Sequence, residues 1–281
     1  VPITSLSSAG SLIAFIITCL IVAKFIPHHK TEERNISTNF HFSKNQSILL
    51  WLFIFFAVFI KTLYLSDTVF PTATDMGHHM YWAKWIAENG TLPDYDGMPD
   101  FIIGEHVIFG VIGLISKLSF FSAFPVIILH GINILSIIAV FILVLRIFKN
   151  NNIAIFSIFF LGVLYAISSP QTKFVSGGVI GNVIGNFFLP LALYLYYRAL
   201  SFLMEGSELY QKHLSESRIF AFFALIITIG LFYTHHLSAL VFLLVISSSA
   251  MLFLLLNFKN LSLITVRSAK IIFSSSVIIP L

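Results

Sequence analysis

Charge is scarce in this sequence. Only 10% of its 281 residues are Asp, Glu, Lys or Arg, whereas 58% are hydrophobic, and the mean hydropathy is +0.95. A soluble globular domain cannot hide that much apolar surface, so composition alone implies a polytopic helical membrane protein. Cysteine is almost missing. The single Cys19 lies inside an apolar run, which excludes a disulfide framework and a Cys-ligated metal. The first apolar run, 6–26, lacks a basic leader and an Ala-x-Ala end, so it reads as a transmembrane helix rather than a signal peptide. No internal repeat recurs at a fixed period. The net charge of +4 calls for no nucleic-acid partner; in a membrane protein, basic residues mark the cytoplasmic face.

What the chain has is apolar runs. Runs of the ~20 residues needed to cross a bilayer lie near 6–26, 48–66, 123–146, 153–169, 181–200, 218–234 and 236–256, with a partial one from about 271. The expected fold is therefore an all-α bundle of about seven spanning helices and a partial eighth. We divide it into an N-terminal helix and polar connector, 1–47, and a main transmembrane domain, 48–281. A start at Val1 and an apolar run cut off after Leu281 lead us to expect a fragment of a longer protein.

The run 101–118 is ambiguous, because Glu105, His106 and Lys117 interrupt it. Charge distribution decides. If it lies in the interface, Lys24, Lys30, Arg34, Lys44, Arg146, Lys149, Arg198, Lys212, Arg218, Lys259, Arg267 and Lys270 share one side. Only Lys61, Lys84, Lys117 and Lys173 face the other, twelve of the 16 basic residues against four. If it spans, the split becomes ten against six. The positive-inside rule favours the interfacial reading. Loop 67–122, the stretch Ser176–Asn186 and the turn Thr234-His235-His236 then all fall on one extracytoplasmic face. The sequon Asn89-Gly90-Thr91 falls there too.

That face carries the polar residues that lipid burial does not explain. A helix is expected from Asp75, its N-cap, to a stop at Gly90, with Trp82, Trp85 and Ile86 as an apolar stripe lying on the bilayer. Its first turn groups Asp75, His78 and His79. Asp75 serves either as a plain cap or as a general base, and Asp75 with His79 can hold a hard cation such as Mg²⁺ or Mn²⁺. The pair Glu105-His106 enters an apolar run, a costly placement unless the two are paired or functional. Gly177 and Gly178 sit at the mouth of a helix whose free amides suit an anion, with Lys173 just before them and Asn182 one turn on. No Gly-Lys-Ser/Thr follows, so this is not a nucleotide P-loop. Gly181 and Gly185 read as close helix packing. His235 and His236 either cap helix ends or bind metal or phosphate. His130 and Asn133 face the bundle interior.

These residues, in this order, resemble the GT-C superfamily of membrane glycosyltransferases, from about Ile48 to Ala250. The resemblance is carried by Asp75 with Gly77-His78-His79, by Ile86-Ala87-Glu88-Asn89-Gly90 with Pro93, by Ile102-Ile103-Gly104-Glu105-His106, by the helix Gly178–Pro190 and by Thr234-His235-His236-Leu237-Ser238. It implies an inverting sugar transfer from a polyprenyl-phosphate or polyprenyl-diphosphate donor, on the outer face of a membrane, most simply a prokaryotic plasma membrane. Asp75 matches the family's first-loop acid, a base or a ligand to metal or acceptor. The Gly177-Gly178 and His235-His236 regions match the wall that holds the lipid phosphate. The acceptor can be a glycan, a lipid or a protein. The chain departs from the pattern in lacking a doubled acidic motif beside Asp75 and in having an extra helix before Ile48. The competing expectation is a non-catalytic membrane subunit or transporter whose histidines bind metal or haem.

Overall fold

The computed structural model describes residues 41–63, 74–94, 103–120, 122–165, 180–201, 203 and 207–276. All regular structure among them is helical. Helix α1 is Lys44–Leu63, α2 Thr74–Asn89, α3 Gly104–Ser116, α4 Phe124–Phe148, and α5 Asn151–Ile158, which runs on as a π-helical turn, Phe159–Leu164. Then follow α6 (Ile180–Leu200), α7 (Ser207–Thr234), α8 (His236–Leu256) and, after a 3₁₀ turn, α9 (Leu261–Ser276).

Among the described residues, five helices are long and apolar enough to cross a membrane: α1, α4, α6, Tyr210–Thr234 within α7, and α8. The expected span 6–26 lies outside the described residues. The span expected at 153–169 is, as far as described, a shorter apolar helix of Asn151–Leu164. The ambiguous run forms α3, only 13 residues long. At 1.5 Å per residue it reaches about 20 Å, well short of a hydrocarbon core of about 30 Å. Lys117 ends it in a left-handed cap, its N–H donating to the carbonyl of Gly113.

Side-chain contacts fix the two ends of the bundle. At one end, Gln46 of α1 meets Asn151 and Asn152 at the start of α5, and Tyr197 of α6 reaches the carbonyl of Arg146. Lys44, Arg146, Lys149 and Arg198 therefore gather there, as the basic-side reading expects. At the other end, Thr62 meets His130, Gly104 lies against Tyr233 and Thr234, and Phe109 and Phe120 pack on Phe124.

This second end is capped by α2 lying on α3. The buried stripe of α2 is Met76, Met80, Ala83 and Ile86, three and four apart, of which the first three join one core with Phe109, Leu129, Ile180 and Ile184. The expected stripe of Trp82, Trp85 and Ile86 is thus corrected: Ile86 is buried, Trp82 half-buried and Trp85 exposed. The small Ala83 and Gly110 let the two helices approach, since a Cβ at 110 would lie 3.0 Å from the Ala83 carbonyl oxygen. Gly90 ends α2 with φ 66°, its N–H donating to Ile86. The helix starts at Thr74, so position 75 lies inside the first turn rather than at the N-cap.

We expect both helices to stay on one side of the bilayer. With Cys19 replaced by Ser, cysteines introduced at the exposed positions Glu88, Lys117 and His236 label from outside sealed cells with an impermeant maleimide. Cysteines at Lys149 and Lys259 label only after permeabilisation. Inside-only labelling at 117 would mean that α3 crosses.

Candidate functional site

Glu105 occupies the first turn of α3, and both it and His106 are 1% exposed. Adjacent residues on a helix point about 100° apart, yet both side chains are covered here, because α2, α6 and the α7–α8 turn close over the N-terminus of α3. His79 of α2 comes down on them. Its Nδ1 lies 2.7 Å from Nε2 of His106, a hydrogen bond in which one ring N–H donates to the other ring nitrogen. The same Nδ1 is 3.6 Å from Oε1 of Glu105. Trp82, one turn beyond His79, sets its ring edge-on to His106 with centroids 5.0 Å apart.

The far wall comes from α6 and the α7–α8 turn. A Cβ built on Gly181 would lie 2.7 Å from the carbonyl oxygen of Thr234, 3.3 Å from Oε1 of Glu105 and 3.3 Å from Cδ2 of His235. Gly181 and Gly185 therefore do serve close packing, against the 234–238 turn. His235 is extended and caps α8: its Nδ1 accepts from the amide of Ser238 and lies 2.8 Å from that serine's hydroxyl. It caps the helix that follows, not the carbonyls of the one before.

Burial dominates the electrostatics. It pushes the Glu105 carboxyl up to about 8, a backbone hydrogen bond opposing it only in part. It pushes His106 down to about 3, with the charge of His79 a lesser cause. His235 is lowered by burial and then by His236. Glu105 is thus held in its protonated form at neutral pH. Its Oε2 is buried and has no hydrogen-bond partner among the described residues. An orphaned carboxyl oxygen beside two imidazoles is an expensive arrangement to keep without a ligand.

The donor set answers what that ligand can be. His79, Glu105 and His106 each offer one atom, all within 4.8 Å of one another. Two imidazoles and one carboxylate are a ligand set suited to Zn²⁺ with a position left open, and less suited to the all-oxygen taste of Mg²⁺. The ring nitrogens would have to part to about 3.3 Å to share a tetrahedral ion, a small side-chain adjustment. Of the pair Asp75 and His79 expected for a cation, His79 belongs to this group; the side chain of Asp75 lies outside the described residues.

Of the other expected site residues, His235 joins the cluster through Gly181. His78 is exposed, its ring 6.1 Å from that of Trp82, and His236 is exposed too. Asn182 is half-buried in the first turn of α6. Lys173, Gly177 and Gly178 lie outside the described residues. Trp82 is the site residue that sequence reading assigned elsewhere. Its position three residues after His79 was the available signal. Comparison with family models, with curated proteins and with solved structures finds no match to this chain.

Proposed function

We propose that the chain is an integral-membrane glycosyltransferase that moves a sugar from a polyprenyl-phosphate or polyprenyl-diphosphate donor to an acceptor hydroxyl at the extracytoplasmic face. One observation supports this most: three segments far apart in the sequence converge at one end of the bundle on the buried carboxyl of Glu105, meeting its Oε1, while its Oε2 has no hydrogen-bond partner among the described residues. In the reaction the acceptor oxygen attacks the anomeric carbon, the bond from that carbon to the phosphate oxygen breaks, and the phosphate leaves with the electron pair. The hydroxyl proton goes to a base, the role assigned to Asp75, one turn before His79. His79, Glu105 and His106 would hold a divalent cation, and such an ion would supply positive charge for the phosphate leaving group. His235, fixed by Ser238, presents its remaining ring nitrogen at the same wall, and the sequence pattern assigns the lipid phosphate to Lys173 and the Gly177-Gly178 amides as well.

The test uses the full chain in proteoliposomes with radiolabelled polyprenyl-phosphate sugars. Asp75→Asn is expected to lose transfer by roughly 10²-fold or more, the usual worth of a general base, while elution and melting stay unchanged. Full activity in that variant would remove Asp75 from the chemistry. No transfer by the wild-type chain from any donor would favour the second reading, a cation-binding membrane subunit, for which the His79–Glu105–His106 set is the specific support. A haem version of that reading meets a geometric obstacle. Axial imidazoles sit on opposite faces of a porphyrin, and a 2.7 Å contact between the ring nitrogens leaves no room for one.

A further inference from the structure

Away from the His–Glu cluster, a cavity of about 410 Å³ lies between α1, α4, the π-helical turn and α6. We propose that it is a binding site for a membrane lipid with a phosphate head, the head on Lys61 and the tail in the apolar depth. Lys61 lies in the last turn of α1, where lysines ordinarily stretch toward water. Here it is 4% exposed and turned into the bundle. No described residue gives it a hydrogen bond or an acidic partner. Removing an ammonium from water without a counter-charge costs several kcal/mol even after relaxation, so a buried, unpaired lysine on a cavity wall calls for an anion.

The walls say which kind. Asn133 and Asn186 line the cavity with Lys61 and add amide donors, a set able to meet several oxygens at once, as a phosphate requires, while the Ser136 hydroxyl there donates to the carbonyl of Asn133. Next to them His130 is held by Thr62 at 3.2 Å, and its Nδ1 is a second buried polar atom lacking a partner among the described residues. Going inward, the lining becomes Val140, Leu143 and Leu193. From Asn133 to Leu143 α4 rises about 15 Å toward the end that carries Arg146, a length comparable to half the hydrocarbon thickness. A polar end around Lys61, in the last turn of α1, and an apolar shaft leading away from it match an amphiphile. A soluble anion would leave the shaft empty. The π-helical turn, which contributes Leu161, is the kind of helix irregularity that widens such spaces.

The inference concerns binding and does not need the transfer chemistry, so the two fail separately. A chain that binds lipid but transfers no sugar loses only the proposed function. The full chain is stripped in detergent and examined by native mass spectrometry with undecaprenyl phosphate and phosphatidic acid, their neutral counterparts undecaprenol and diacylglycerol, and inorganic phosphate as competitor. We expect an anionic lipid to bind one per chain, its neutral counterpart roughly tenfold or more weakly, and Lys61→Met to erase that difference. The lipid-free Lys61→Met chain should melt no lower than wild type, because it loses an unpaired buried charge. Ser136→Phe, which fills the cavity, should block both lipids. Equal binding of neutral and anionic lipids, unchanged binding in Lys61→Met, or complete displacement by inorganic phosphate would each overturn the proposal.

Discussion

Glu105→Gln is expected to raise the melting temperature of the cation-stripped protein at alkaline pH by several degrees and to abolish its stabilisation by zinc. The side chain is 1% exposed, and burial holds its carboxyl near 8 against an ordinary value of 4.5. An acid whose folded pKa is raised takes up a proton on folding. Below 4.5 both states are protonated and nothing is lost; between 4.5 and 8 only the opened state is ionised, so stability falls as pH rises, and above 8 the full penalty stands. A shift of this size corresponds to a few kcal/mol, to order of magnitude. Gln keeps the shape and cannot ionise, so the alkaline loss is absent from the variant. His106 works in the opposite sense. Held near 3 against 6.5, it costs stability as pH falls below 6.5, and Glu105→Gln leaves that acid limb in place. With zinc in excess the ranking inverts, because the carboxylate becomes a ligand and the wild-type chain alone gains. Melting curves from pH 5 to 9, with EDTA and with zinc, decide it. Parallel wild-type and variant curves would mean that Glu105 is neither buried as described nor part of a cation site.

Much of this was legible in the sequence, and the reasons differ from element to element. Spanning helices such as α4, α6 and α8 announce themselves because lipid exposes their side chains all round, leaving Leu240, Leu244 and Leu255 on the outside of α8. The start of α7 did not. Hydropathy placed it near 218, yet the helix begins at Ser207, because Glu208, Lys212 and Glu216 hide an amphipathic first half. Its inner positions are Tyr210, Leu214, Ser217 and Ala221, and Arg267 of α9 stacks on Tyr210 at 4.6 Å. Glu105 and His106 could be singled out because an acid and an imidazole in an apolar run must be explained. The preference for His79 over His78 as a cation ligand had no physical reason visible in the sequence. It depends on the rotational phase of α2, set by Met76, Met80 and Ala83 meeting α3 and by Gly110 admitting them. Lys61 was counted only as an outer-face charge. One residue's difference in phase separates a lysine that reaches water from one that lines a cavity, and composition does not carry phase.

Gly181→Ala should damage the site more than any other single added methyl, and Gly131→Ala should not damage it at all. Both glycines lie within helices, where alanine is intrinsically better by about 0.5–1 kcal/mol. At 131 nothing comes within 4 Å of the new carbon, so that gain should appear as a small rise in melting temperature. At 181 the new carbon would sit 2.7 Å from the carbonyl oxygen of Thr234. That atom belongs to backbone at the end of α7 and cannot swing aside as a side chain can. Relief requires α6 to move away from the α7–α8 turn, which separates Glu105 from His235 and admits water to both. Overpacking of this kind costs about 1–3 kcal/mol, and opening the wall should cost affinity for zinc as well. Zinc binding by calorimetry and thermal melts on the two variants check the pair together. If Gly181→Ala melts and binds like Gly131→Ala, α6 does not press on that turn, and the convergence on which the site depends is absent.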